Sequence, residues 1–103
     1  MDKSTPHYDL SAIRSDVRRL RSNAFTSGAK KSAWSIGLCV SDMREIVSGL
    51  QRAHFYKSMT TYDDHRVWQD VYLTQSNGLE LYIKVTYRPS GGPPVISFKE
   101  NNS

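Results

Sequence analysis

The chain of 103 residues has one cysteine, Cys39, which excludes an internal disulfide framework and a cysteine-built zinc site. The lone thiol is expected to be a small buried core group. No apolar run approaches the roughly 18–20 residues that a membrane-spanning helix needs. The opening MDKSTPHYDL lacks the apolar centre of a signal peptide, so the expectation is a cytoplasmic protein with no membrane partner. Internal repeats, low-complexity tracts, a phosphate-cradling glycine loop and a hydrolase nucleophile motif are also missing. Asp63-Asp64-His65 has ligand-type side chains, but three neighbours on a turn cannot easily converge on one ion, and no partner set is evident. Neither a metal nor another cofactor is expected.

Acidic residues are outnumbered: ten Asp and Glu stand against fourteen Lys and Arg, giving a net charge of +4. That balance leans toward a polyanionic partner, either nucleic acid or an acidic protein surface. The hydrophobic share of 38% is modest, but two Trp, six Tyr and three Phe each bury a large area and help build a core. At this length one domain over residues 1–103 is expected.

The first half has helical periodicity. Asp9 or Ser11 can cap a helix whose Leu10, Ile13, Val17 and Leu20 fall on one stripe. On the same wheel Arg21, Arg14 and Arg18 form a strip beside it, while Arg19 points away. The strip is either a solvated face or a ridge for phosphate or a partner's carboxylates. A short helix is predicted over Ser27–Ile36, ended by Gly37. Another is predicted over 42–51, where Asp42 and Glu45 have capping-box spacing and Met43, Ile46, Val47 and Leu50 share a face.

After Gln51 the period changes to two. His54–Met59, Arg66–Thr74, Leu79–Tyr87 and Val95–Lys99 read as strands. Ser76-Asn77-Gly78 makes one hairpin turn and Ser90-Gly91-Gly92-Pro93-Pro94 a wider one. Helices followed by antiparallel strands are the α+β pattern. In the third strand Leu79, Leu81, Ile83, Val85 and Tyr87 form an apolar row that must pack on the helices. Glu80, Tyr82, Lys84 and Thr86 then lie on a partly open sheet face, where a site has room.

If the partner is RNA, cleavage without a metal needs a base for the 2′-hydroxyl and an acid for the 5′-oxygen. It also needs cations against the growing phosphorane charge. Lys57, Gln69, Tyr82, Lys84 and Lys99 are candidates, with His54 and His65 nearby. Trp68 and Tyr72 have the chemistry to stack bases. By strand alternation, however, they share a face with Asp70 and lie opposite to Gln69, which favours core packing for Trp68.

The segment FYKSMTTY-x-DH-x-x-WQDVY, then Tyr82-Ile83-Lys84 and Ile96-Ser97-Phe98-Lys99-Glu100, resembles the MqsR toxin family. In the first half the resemblance is carried by Thr5-Pro6-His7 and by Gly37-Leu38 before a helix. It implies a RelE-like ribonuclease toxin fold with N-terminal helices packed on an antiparallel sheet. It also implies a type II toxin that cuts messenger RNA without the ribosome, at GCU-type sites. The partner implied is an MqsA-like antitoxin with a helix-turn-helix domain. The family's catalytic residues fall on Lys57, Gln69, Tyr82 and Lys99, and Lys84, Arg66 and His65 are expected to contact RNA. The chain departs from the family pattern at Arg66, in its arginine-rich first helix and in the loop Arg88–Pro94.

Lys57 and Lys99 are read as stabilisers of phosphate charge, one of them also a candidate acid. Tyr82 is an acid–base or phosphate-orienting group, and Gln69 donates to the phosphate or positions the attacking sugar. Clustered cations are expected to lower the pKa of Lys57, Lys99 and Tyr82 alike. His65 is the rival base, because imidazole titrates near neutral pH. A non-catalytic RNA- or protein-binding module on the same fold is the alternative.

Overall fold

A computed structural model describes residues 1–102. Strand β1 (Asp2–Lys3) is followed by three helices, α1 (Leu10–Leu20), α2 (Ser27–Ser35) and α3 (Val40–Ser48). Four further strands follow, β2 (Phe55–Thr60), β3 (Trp68–Ser76), β4 (Leu79–Val85) and β5 (Val95–Glu100). The five strands form one antiparallel meander in the order β1-β2-β3-β4-β5. Helices packed on one face of an antiparallel sheet are the α+β architecture expected, consistent with a RelE-like fold.

Each helix begins where a side chain can take an unpaired backbone N–H. Asp9 accepts from Ser11 N at 3.1 Å to start α1, and Thr26 accepts from Ala29 N at 3.1 Å to start α2. Ile13 and Val17 of the predicted stripe are fully buried. Arg21, predicted to extend the arginine strip, has left the helix with φ 56°. Arg14 is engaged as well, donating to Leu50 O at 2.8 Å and tying α1 to the end of α3. The strip therefore reduces to Arg18 and Arg21 as exposed groups.

Helix α3 starts two residues before the predicted position. Its N-cap is Cys39, whose N–H donates to Asp42 Oδ2 at 2.9 Å and whose thiol donates to the same oxygen at 3.2 Å. The expected burial of Cys39 is overturned, because it is exposed. Leu38 takes the buried position in this short connection, which turns its neighbour outward.

Tyr72, Leu81, Ile83, Val85, Val95 and Phe98 form the inner face of the sheet, against Ile13, Val17, Ala29, Ala33, Met43 and Val47 from the helices. The β3–β4 hairpin turns on Asn77 and Gly78, with φ of 56° and 75°, the two positive values that a tight hairpin needs. Strand β1 was not predicted. The backbone N–H groups of His7 and Tyr8 donate to Asp70 Oδ2 at 3.0 and 2.8 Å. Ser58 Oγ donates to Asp70 Oδ1 at 2.6 Å. Asp70 is fully buried, and these donors satisfy a carboxylate that would otherwise be costly there. The Thr5-Pro6-His7 segment thus fastens the N-terminus to the sheet.

Candidate active site

Register decides which polar strand residues meet. Lys57 on β2 stands across from Val71 on β3, Val71 from Lys84 on β4, and Lys84 from Ser97 on β5. One row along, Leu73, Tyr82 and Lys99 are partners in the same sense. Gln69 faces Met59 across the β2–β3 pair. Directly paired residues project from the same side of a sheet. Lys57, Gln69, Tyr82 and Lys99 therefore emerge from four strands onto the face away from the helices, and Lys84 lies among them.

A β-bulge is responsible for the position of Lys57. Phe55 pairs with Tyr72 but Lys57 pairs with Val71, so Tyr56 is an extra residue on β2. Without it Lys57 would stand opposite Asp70 and face the core. The bulge lets Phe55 pack inward while Lys57 turns outward two positions later. It also leaves Tyr56 exposed with Lys57 Nζ 5.4 Å from its ring centre. The sequence reading did not select Tyr56; Phe55 and Lys57 at the same strand parity were its only signal.

Three ammonium groups and two phenols crowd this face. Lys99 Nζ lies 5.2 Å and Lys84 Nζ 5.9 Å from the centre of the Tyr82 ring. Burial, and then the charges of Lys99 and Lys57, push the Lys84 pKa below the usual lysine value. Tyr82 moves the other way from expectation. Burial, and then Tyr56, raise its pKa. The ammonium groups sit beside the ring, and neither is hydrogen-bonded to the phenol oxygen, so burial of the hydroxyl dominates. Among the described residues none of the three lysines is paired with a carboxylate. Like charges brought together without counter-ions favour an incoming anion.

The remaining candidates are distributed unevenly. Arg66 lines the same hollow as Gln69, with Asp63, Thr86 and Arg88. His65 is exposed and lines a different hollow with Met1, Thr60 and Tyr62, so it is not brought to the lysine cluster. His54 Nδ1 accepts from Gln51 N at 3.0 Å. Tyr72 is fully buried and cannot stack a base; burial and Asp70 push its pKa up to about 12. Trp68 is half-buried, stacked on His7 at 5.2 Å with Lys3 Nζ 4.2 Å from its ring. Asp64 is held by Arg66, whose guanidinium donates to both carboxylate oxygens at 3.1 and 3.3 Å. Among the described residues no three His, Cys, Asp or Glu side chains gather in a metal-binding group.

Residues 5–100 match the family described as motility quorum-sensing regulator, toxin of MqsA. A curated relative from Escherichia coli (strain K12), mRNA interferase toxin MqsR, is 38% identical over 100 residues, covering 97% of this chain and 99% of the relative. Among the described residues no helix is long and apolar enough to cross a membrane.

Proposed function

The chain belongs to the MqsR toxin family, and we propose that it is a metal-independent messenger-RNA endoribonuclease acting in the cytoplasm as one toxin domain over residues 1–103. The observation that carries this is the placing of Lys84 and Lys99 around Tyr82 with Lys57 in the same cross-strand row as Lys84, none of the three paired with a carboxylate among the described residues, on the same open face as Gln69. The relative's name describes an mRNA interferase. By that likeness the substrate is mRNA, and the resemblance seen in the sequence implies cutting of single strands without the ribosome at GCU-type sites, with arrest of translation as the result.

In the proposed reaction the 2′-oxygen bonds to the adjacent phosphorus as the bond from phosphorus to the 5′-oxygen breaks. A base takes the 2′-hydroxyl proton, and an acid returns one to the 5′-oxygen. Lys57 and Lys99 offset the growing negative charge. The raised pKa of Tyr82 keeps it protonated at neutral pH, suited to donate rather than to abstract. Abstraction then falls to Lys84, whose pKa is lowered by burial and by the charges of Lys99 and Lys57. Gln69 orients the phosphate or the attacking sugar.

A ribonuclease of this kind harms its own cell unless masked. We assign the masking role to an MqsA-like antitoxin with a helix-turn-helix domain, steered by the net charge of +4. The purified chain should cut single-stranded RNA in EDTA and leave a 2′,3′-cyclic phosphate and a 5′-hydroxyl. Cutting that stops on chelation and returns with a divalent ion would defeat the metal-independent reading. RNA bound but never cut would favour a binding module instead.

A further inference from the structure

At the Gln69 end, the open face runs into a hollow of about 540 Å³, within the range of small-ligand pockets. Its two walls are turns already fixed by their own hydrogen bonds. In the first, Thr61 N donates to Val67 O at 2.9 Å and Thr61 Oγ to Asp64 O at 2.8 Å. Arg66 is clamped to Asp64 on the same turn. In the second, Gly91 N donates to Arg88 O and Thr86 N to Pro94 O, both at 2.9 Å. Gly92 has φ 99°, and a Cβ there would stand 3.1 Å from the Arg88 guanidinium. The glycine therefore lets that guanidinium lie against the backbone. A site built before its ligand arrives loses less entropy on binding.

The polar groups in the hollow divide into engaged and unengaged. Thr61, Asp64 and Arg66 bond to one another within their turn, and Thr86 Oγ donates to Trp68 O at 2.7 Å. The side chains of Asp63, Gln69 and Arg88 line the hollow and make no hydrogen bond to other side chains or backbone among the described residues. A bare phosphate suits this set poorly, because Asp63 and Asp64 both repel it. A nucleobase suits it well. Its N–H groups donate to a carboxylate, its ring and carbonyl acceptors take N–H from guanidinium or amide, and its face lies on apolar or guanidinium surface.

We infer that the hollow between the 61–67 turn and the Arg88–Pro94 loop is a nucleobase subsite. It reads one nucleotide beside the cut, and Asp63 selects a base that bears an amino group. Uracil is disfavoured there, since its single imino N–H is flanked by two carbonyl oxygens that would face the carboxylate. The inference deepens the ribonuclease reading and rests on it for the position of the cut.

Two measurements separate the subsite from the reaction. In the first, wild-type protein and Asp63→Asn cut an RNA pool of randomised sequence, and the ends are sequenced. Wild type should show one position beside the cut depleted of uracil. Asp63→Asn, whose amide can also donate, should relax that position by about 5–150-fold, the value of one good base contact. Other positions should keep their preferences. In the second, 2′-O-methyl trinucleotides that cannot be cleaved are titrated while backbone amide signals are followed by NMR. Signals from Thr61, Asp63 and Thr86 should shift with adenine-, cytosine- or guanine-containing oligomers, and far less with an all-uracil one. Cutting with no position altered by Asp63→Asn overturns the subsite. So does an equal response of those amides to all four bases, whether or not the chain cuts RNA. Absence of cutting together with base-selective shifts would overturn the ribonuclease reading and support the subsite.

Discussion

Tyr82 on β4 and Lys99 on β5 face each other directly across the sheet, and Lys99 Nζ lies 5.2 Å from the Tyr82 ring centre. The pair sets a phenol whose pKa is raised by burial beside an ammonium group. Lys57 and Lys84 approach the same place from the next row. Positive charge is thus concentrated on a surface that contributes no side chain to the hydrophobic core cluster among the described residues, so substitutions there should bear on the proposed reaction more than on folding.

Lys57→Ala, Gln69→Ala, Tyr82→Ala and Lys99→Ala should each slow RNA cleavage, by about 10²–10⁴-fold where a positioned acid–base group is lost. Thermal unfolding should change little, because partly exposed polar groups without partners contribute little to stability. His65→Ala should cost far less, since His65 lies in another hollow. Single-turnover rates on one RNA, with melting curves alongside, test the series. If His65→Ala proves the most damaging, the lysine–tyrosine assignment is wrong.

Lys84 should show opposite effects on stability and activity. Its folded pKa lies below 10.5 because of burial and the charges of Lys99 and Lys57. Between that lowered value and the unfolded one, the unfolded chain binds more protons, so this group's contribution makes the protein more stable as pH rises through the window. Below the window, at neutral pH, the crowded charge is a cost. Lys84→Met should therefore raise the melting temperature by a few degrees at pH 7, most at low salt, and flatten the alkaline gain. Cleavage should fall at the same time. A variant that melts lower at neutral pH would contradict the electrostatic account.

Tyr72 tests the assignment of faces. Its hydroxyl is buried with no hydrogen-bond partner among the described residues, a state that costs free energy. Tyr72→Phe should be neutral or stabilising by up to about 1 kcal/mol and should leave cleavage unchanged. Urea denaturation decides the first point; a loss above about 2 kcal/mol would imply a partner for the hydroxyl.

Charge reversal at the C-terminal end of α1 and just beyond it examines the antitoxin surface. Arg18 and Arg21 are exposed, whereas Arg14 is engaged with Leu50 O. Arg18→Glu with Arg21→Glu should slow antitoxin association and flatten its salt dependence. Arg14→Glu should lower stability first, because it breaks the tie between α1 and α3. Association unaffected across a salt series would remove Arg18 and Arg21 from the encounter surface.

Local pattern determined much of this protein. The 3.6-residue stripe of Ile13 and Val17, the alternation along Leu79–Val85 and the Asn77-Gly78 turn each depend on neighbours in the chain, so sequence alone revealed three helices, four strands and an open polar face. The RNA-cutting reading of that face came from the resemblance. Tertiary structure decided the rest. Cys39 went outward because Leu38 claimed the interior. Strand β1 pairs with β2, which is distant in sequence, and the segment after it is held by buried Asp70 through the N–H groups of His7 and Tyr8. One extra residue at Tyr56 re-aimed Lys57, and a bulge is invisible to a count of alternating residues. The raised pKa of Tyr82 and the lowered pKa of Lys84 depend on burial and on charges from other strands. Such through-space terms exist only once the strands are paired, and that is why periodicity located the face but could not give its chemistry.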